Sequence, residues 1–230
     1  MRVGLFHKTK RKTFATSLVQ APPTRFPYYE ISNLKQGSDE WRLWRKGIIG
    51  ASDAPTIMSE NHWQSAEYLL NEKLGLTREF SGNAATREGH SLEKDARIAL
   101  SKKFQINLVP TVIQDGKLPY LAASLDAIDK QHMQVFEIKC GLKAYDIVAS
   151  QGEIPTYYYG QLQHILMITQ LDKIMYAAYR PNSRLITIEV GRDETYIVKL
   201  RKAESKFAGL LRTRGHKMQD KFIGKQVSRS

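Results

Sequence analysis

Cysteine is all but missing, with Cys140 the sole representative in 230 residues. One thiol closes no internal disulfide, builds no Cys-rich zinc site and cannot hold an iron–sulfur cluster that needs four. Stapled secreted scaffolds, zinc ribbons and cluster-bearing enzymes are therefore excluded, and a reducing, cytoplasmic setting is expected. No run approaches the roughly 18 apolar residues of a membrane span, and the start MRVGLFHKTKRKTF lacks the apolar centre of a secretory signal. Acid is absent from residues 1–29, which carry Arg2, Lys8, Lys10, Arg11, Lys12 and Arg25 alongside Pro22, Pro23 and Pro27. This stretch reads as a flexible basic arm. An organellar transit peptide is the alternative, without a clear amphipathic face to support it.

What is present suits one substantial core: 42% of residues are hydrophobic, and 35 Lys and Arg against 23 Asp and Glu leave a net charge of +12. Such an excess fits a polyanion, because each phosphate neutralised by Lys or Arg releases condensed counterions; charge alone does not separate nucleic acid from an anionic membrane surface. Neither zinc-finger spacing nor a helix-turn-helix pattern is found, so sequence-independent backbone contact is the expectation. Ser38, acids in the first turn and Gly47 predict a capped helix over SDEWRLWRKG, and Ser52 is expected to cap a second, short one. Residues 65–74 read as a third helix, and 84–103 as the longest, interrupted by Gly89. The texture then changes to β-branched and aromatic runs in INLVPTVI, LPYLAASLDAID and QVFEIKC. Pro155 opens a helical run to about Gln170, KIMYAAYR and RLITIEV form a hairpin, and 193–213 a closing helix. This order predicts an α/β fold with a mixed central sheet flanked by helices. The expected organisation is an arm (1–29), one domain (30–214) and a basic tail (215–230).

Asp126 is followed, after ten intervening residues, by Glu137-Ile138-Lys139, each in or at the end of a predicted strand. The period of two places Glu137 and Lys139 on one face. If Asp126 ends the neighbouring strand, its carboxylate converges on theirs. Two hard oxygens with the Ile138 carbonyl would then suit Mg²⁺ or Mn²⁺. The plainer alternative is an exposed strand ion pair, against which the apolar neighbours in VFEIKC weigh. Glu93 lies on the long helix with Arg97 at i+4, ordinarily a surface pair. Gln161 and Gln163 share an otherwise aromatic and aliphatic helix, where glutamines are ordinarily solvated. Arg45 and Ser52 flank a turn into a helix N-terminus, a fork and a hydroxyl that can grip an anion. The alternative there is that Trp41 and Trp44 sit in the core with Arg45 covering them.

Five segments occur in order: Trp41, Arg45 and Ala51-Ser52-Asp53; Gly89, Glu93 and Asp95-Ala96-Arg97; Ala123-Ser124 with Asp126; Glu137-Ile138-Lys139-Cys140; and Tyr158, Gln161, Gln163 and His164. Together they resemble the lambda-exonuclease or YqaJ family of viral alkaline exonucleases, within the PD-(D/E)xK nucleases. One departure stands out: Ser124-Leu125-Asp126-Ala127 replaces the usual S-P-D-G. The resemblance implies a restriction-endonuclease-like core. It also implies two Mg²⁺ per site, with Mn²⁺ able to substitute, held by Asp126, Glu137, the Ile138 carbonyl and Glu93. Lys139 would act on the attacking water, Gln161 would orient it, and Arg45 with Ser52 would grip a terminal 5′-phosphate. The implied activity is 5′→3′ digestion of linear double-stranded DNA to 5′-mononucleotides, leaving a 3′ tail for recombination by strand annealing. A ring-shaped homotrimer, a single-strand annealing protein as partner and the cytoplasm of a host, if the gene is viral, complete the implication. An endonuclease of the same superfamily and a catalytically silent DNA-binding module are the competing readings.

Overall fold

The computed structural model describes residues 28–31, 34–77 and 84–227, so the basic arm lies outside the described residues except at its end. There Tyr28 and Tyr29, expected to close the arm, instead open the sheet. Their strand β1 (Tyr28–Glu30) pairs antiparallel with a later strand, Tyr28 opposite Asp115. Helix α1 (Asp39–Lys46) begins as the sequence predicts, with Ser38 Oγ accepting from Trp41 N–H at 3.2 Å and Asp39 and Glu40 in the first turn. After it come a two-residue strand β2 (Ile49–Gly50), a 3₁₀ turn (Ala51–Asp53), α2 (Ala54–Ile57) and α3 (Ala66–Lys73). Ser52 does not cap α2: it lies inside the 3₁₀ turn, and Asp53 precedes the helix without a side-chain cap. The long helix α4 (Ala84–Phe104) runs unbroken through Gly89.

The strands β3 (Val109–Asp115), β4 (Leu121–Asp129) and β5 (Gln134–Lys139) follow, then a helix that the sequence reading did not foresee, α5 (Leu142–Gln151), closed by Gly152 in the left-handed region at φ 71°. Helix α6 (Tyr159–Thr169), the hairpin of β6 (Lys173–Ala178) and β7 (Ile186–Gly191), and α7 (Glu194–Val227) complete the chain. The closing helix thus continues through most of what was expected to be a separate tail.

Among the described residues seven strands form one mixed sheet in the order β1-β3-β4-β5-β6-β7, with β2 alongside β4. The β5–β6 and β2–β4 pairings are parallel and the rest antiparallel. One face carries Leu121, Ala123, Leu125, Val135 and Tyr176 against Leu162, Ile165 and Leu166 of α6; the other packs Phe136, Ile138 and Ala127 on Ala96 and Leu100 of α4. From Gly160 to Thr169 every residue of α6 is buried, as expected of a helix apolar on all sides.

The feature that positions the site is a bulge in β4. Val109 pairs with Ile128 and Thr111 with Leu125, so two residues of β4, Asp126 and Ala127, lie opposite one of β3, Pro110. The strict alternation breaks there: Leu125 joins one apolar cluster and Ala127, two residues on, the other. Along the opposite edge of β4, β2 covers Leu121 and Ala122 while β5 covers Ala127 to Asp129. Asp126 therefore sits where the sheet opens.

Candidate active site

At that opening the Asp126 carboxylate takes the place of a missing ladder partner, its Oδ2 accepting from the Ile138 N–H at 2.8 Å. Glu137 and Lys139 share a face of β5, as period two requires. Lys139 Nζ donates to Glu137 Oε1 at 2.6 Å, and Gln161 on α6 joins them: its Nε2 donates to the same Glu137 oxygen at 2.6 Å while its Oε1 accepts from Lys139 at 3.2 Å. Gln161 is 9% exposed and bridges Glu137 and Lys139 rather than facing solvent. Gln163 is wholly buried and structural, bridging the Gly191 carbonyl and the Asp193 N–H. The ring of Tyr158 lies 4.6 Å from Lys139 Nζ, a cation–π contact.

Glu93 reaches the same cleft from α4. The expected surface pair with Arg97 is not its main engagement, because Arg97 Nη1 donates to the Asp126 carbonyl at 2.7 Å and ties α4 to the bulge. Burial, then the charge of Asp126, pushes the Glu93 carboxyl up to about 7. Burial followed by Asp126 also raises Glu137, and burial raises Asp126 against the pull of Lys139 and the Ile138 N–H. Desolvation works against the Lys139 ammonium, but Glu137, Tyr158 and Asp126 together outweigh it and hold the group protonated.

Three carboxyls crowded so that each resists ionisation, with one lysine as counter-charge, form a hard-oxygen set short of positive charge. Glu137 Oε2 is buried and has no partner, a lone pair with nowhere to donate. These features fit a divalent cation. Among the described residues no group of three or more His, Cys, Asp or Glu side chains is placed to hold a metal by itself, and the Ile138 carbonyl is the further oxygen beside Asp126 and Glu137.

The same cleft, about 200 Å³, is lined at its other end by Trp41, Arg45, Gly50 and Ser52. Arg45 Nη2 donates to Ser52 Oγ at 2.8 Å and lies 3.3 Å from Asp53 Oδ1, while its guanidinium carbon stands 4.9 Å from the Trp41 ring centre. Trp41 is fixed in turn by donating Nε1–H to Ser124 Oγ at 2.9 Å, two residues before Asp126. Trp41 and Trp44 are half-buried walls of the cleft rather than core residues, and α1 buries none of its side chains. A Cβ at Gly50 would stand 3.2 Å from Arg45 Nη2 and press on the guanidinium.

Sequence reasoning missed what holds this fork in place. Lys73, at the end of α3, is buried and donates to Asp53 Oδ2 at 2.8 Å, to the Ile48 carbonyl at 2.6 Å and to the Arg45 carbonyl at 3.1 Å. Burial would push the Asp53 carboxyl up, but Lys73 and Arg45, with the Gly50 N–H, hold it below its usual value. No local pattern announces Lys73, because its partners lie 20 or more residues away; the only hint was the Asp in Ala51-Ser52-Asp53.

Comparison with known proteins places this geometry. The chain is 27% identical over 183 residues to the uncharacterised protein YqaJ of Bacillus subtilis (strain 168), an alignment covering 76% of this chain and 56% of that protein, so it spans little more than half the length of this curated relative. Among solved structures, LHK-Exo, an alkaline exonuclease from Laribacter hongkongensis, matches with a TM-score of 0.70 at 20% identity over 81% of this chain and 99% of the other; a second structure of it is a complex with dAMP. A phage-related exonuclease from Haemophilus somnus matches with a TM-score of 0.56 at 13% identity, covering 74% and 96%. The nuclease fold expected from the sequence is thus the fold observed. A family model, the YqaJ-like viral recombinase domain, matches residues 40–172, which include every site residue named above, and the chain belongs to that family.

Proposed function

We propose that the cleft is the active site of a Mg²⁺-dependent exonuclease that digests linear double-stranded DNA in the 5′→3′ direction. It would release 5′-mononucleotides and leave a 3′ single-stranded tail for strand-annealing recombination. The observation that carries this reading is that one cleft holds both the Asp126, Glu137, Lys139 and Gln161 group and the Arg45 and Ser52 fork. A hydrolytic centre a fixed distance from an anion grip is what cutting from a phosphorylated end requires. The dAMP bound to LHK-Exo, whose fold this chain shares, is a product of the same chemical class.

Asp126, Glu137, the Ile138 carbonyl and Glu93 would hold the cations, two per site, which would supply an acidified water and neutralise charge on the scissile phosphate. Lys139, held as an ammonium, would orient the attacking water by donating a hydrogen bond from Nζ. Gln161, bridging Lys139 and Glu137, fixes the direction in which the ammonium points. Arg45 and Ser52 bind the terminal 5′-phosphate through a charge-assisted fork and a hydroxyl. Trp41 and Asp53 keep the guanidinium from swinging away. The net charge of +12 serves the remaining phosphates. A homotrimeric ring around the duplex and a single-strand annealing protein as partner belong to the same proposal.

The test is digestion of linear duplex, labelled at the 5′ or the 3′ end, beside a covalently closed circle, with Lys139→Ala as control. Early release of the 5′ label, an intact circle and no activity without Mg²⁺ are expected. Cleavage of the circle would make the protein an endonuclease, and metal-independent binding with no product would make it a DNA-binding module.

A further inference from the structure

A run of aromatic rings leads from Lys139 out to the surface. The Tyr158 ring, against Lys139 Nζ, stands 4.6 Å from the ring of Tyr157, centre to centre, and Tyr157 stands 4.9 Å from Trp63, nearly perpendicular at 85°. Trp63 is 67% exposed. Its position is nevertheless built: its N–H donates to Asn61 Oδ1 at 2.9 Å, and Asn61 Nδ2 donates to Thr56 Oγ1 at 2.8 Å. The exposed ring thus stands on a backbone held by a braced turn, with Tyr157 beside it. Lys143, on the helix α5 that sequence reasoning missed, sets its ammonium 5.7 Å from the Trp63 ring centre.

We infer that Trp63, with Tyr157 and Lys143, forms a stacking platform for an unpaired nucleobase of the strand being digested. The inference rests on the nuclease reading of the cleft and adds a second contact to it. Flat rings beside a lysine are what a base and its phosphate require, and stacking is indifferent to base identity. The base must be unpaired, because a ring can be covered by a base face only where the duplex has opened. The location follows from the ring run. Three steps, each under 5 Å, separate Lys139 from Trp63. Against a rise of about 3.4 Å per stacked base, that places the held base a few nucleotides from the phosphate facing Lys139.

The experiment uses the full chain and a 5′-phosphorylated duplex whose terminal nucleotides are unpaired, with an abasic residue placed at each terminal position in turn. Affinity is measured in EDTA. In the wild type, one abasic position is expected to weaken binding about 10-fold or more, and Trp63→Ala should weaken binding of the intact substrate equally. That same abasic position should then cost the variant nothing further, and Trp63→Phe should restore most of the loss. Because the ring is exposed, the melting temperature should not move. Equal affinity of Trp63→Ala and wild type, or a loss spread evenly over all positions, overturns the platform. Unchanged DNA affinity with an altered sedimentation coefficient also overturns it and makes the patch a contact between copies. Digestion of the same substrates with Mg²⁺ tests the nuclease reading separately: positional loss without cleavage removes that reading alone, and cleavage with an unaffected variant removes the platform alone.

Discussion

Lys73 gives the sharpest test of how the anion fork is held. Its ammonium, with 6% of the side chain exposed, is the main counter-charge of the buried Asp53 and the only side chain donating to both the Arg45 and Ile48 carbonyls among the described residues. In Lys73→Met the stem still fills its space, but Asp53 keeps only Arg45 at 3.3 Å and the Gly50 N–H at 2.8 Å. Breaking one side of a buried ion pair costs about 3–5 kcal/mol, and the retained partners place this case near 3. With a urea dependence of at most about 3 kcal/mol/M, the unfolding midpoint should fall by roughly 1 M or more. Function should change in a specific direction, since Asp53 now draws Arg45 toward itself. Preference for a 5′-phosphorylated over a 5′-hydroxyl end should shrink, with the hydroxyl end cut at the same rate as by wild type. The double variant Lys73→Met with Asp53→Asn removes both charges and should recover most of the stability. A Lys73→Met protein as stable as wild type, or one that cuts both ends equally poorly, would refute the argument.

Three other outcomes follow from the same geometry. Arg45→Ala should cut 5′-phosphorylated ends roughly 10- to 100-fold more slowly through KM, as expected for a lost charge-assisted bond, while leaving Mg²⁺ affinity unchanged. Glu93→Gln should raise the melting temperature of the metal-free protein at pH 8, because a carboxyl lifted to about 7 in the folded state destabilises the fold once ionised; Mg²⁺ should then stabilise wild type more than the variant, read by thermal melting. His164 is fully buried, with Nδ1 2.6 Å from Glu204 Oε1 and Nε2 3.0 Å from the Ala122 carbonyl, so both nitrogens carry hydrogen; burial disfavours that charge but Glu204 raises its pKa above the usual value. A raised folded-state value means a contribution fully present below about pH 6.5 and lost as pH climbs through the folded-state pKa, so the urea-midpoint gap between wild type and His164→Gln should narrow toward alkaline pH.

The parts of the site that the sequence reveals are those governed by local period. Glu137 and Lys139 share a face because strands alternate, and the Ser38 cap obeys a rule that acts within a turn. Asp126 is a harder case. Its residue type was legible, but its aim was not, because that depends on the two-against-one register between β4 and β3 and on the gap between β2 and β5 along β4. Register is set by pairing partners far along the chain. The same reason hides Lys73 and the burial of Gln161, whose surroundings come from β5 rather than from α6. Replacing the expected Pro and Gly around Asp126 by Leu125 and Ala127 has a physical reading in these terms. Both side chains are fully buried, one on each face of the sheet, so the bulge here is pinned by packing on both sides rather than by turn residues. Leu125→Ala should therefore loosen the carboxylate as well as the core. Its cost of about 2–5 kcal/mol in stability should be accompanied by weaker Mg²⁺ binding, whereas Leu70→Ala, equally buried but on α3, should lose stability alone. Equal Mg²⁺ affinity in the two variants would show that the bulge is held by the backbone instead.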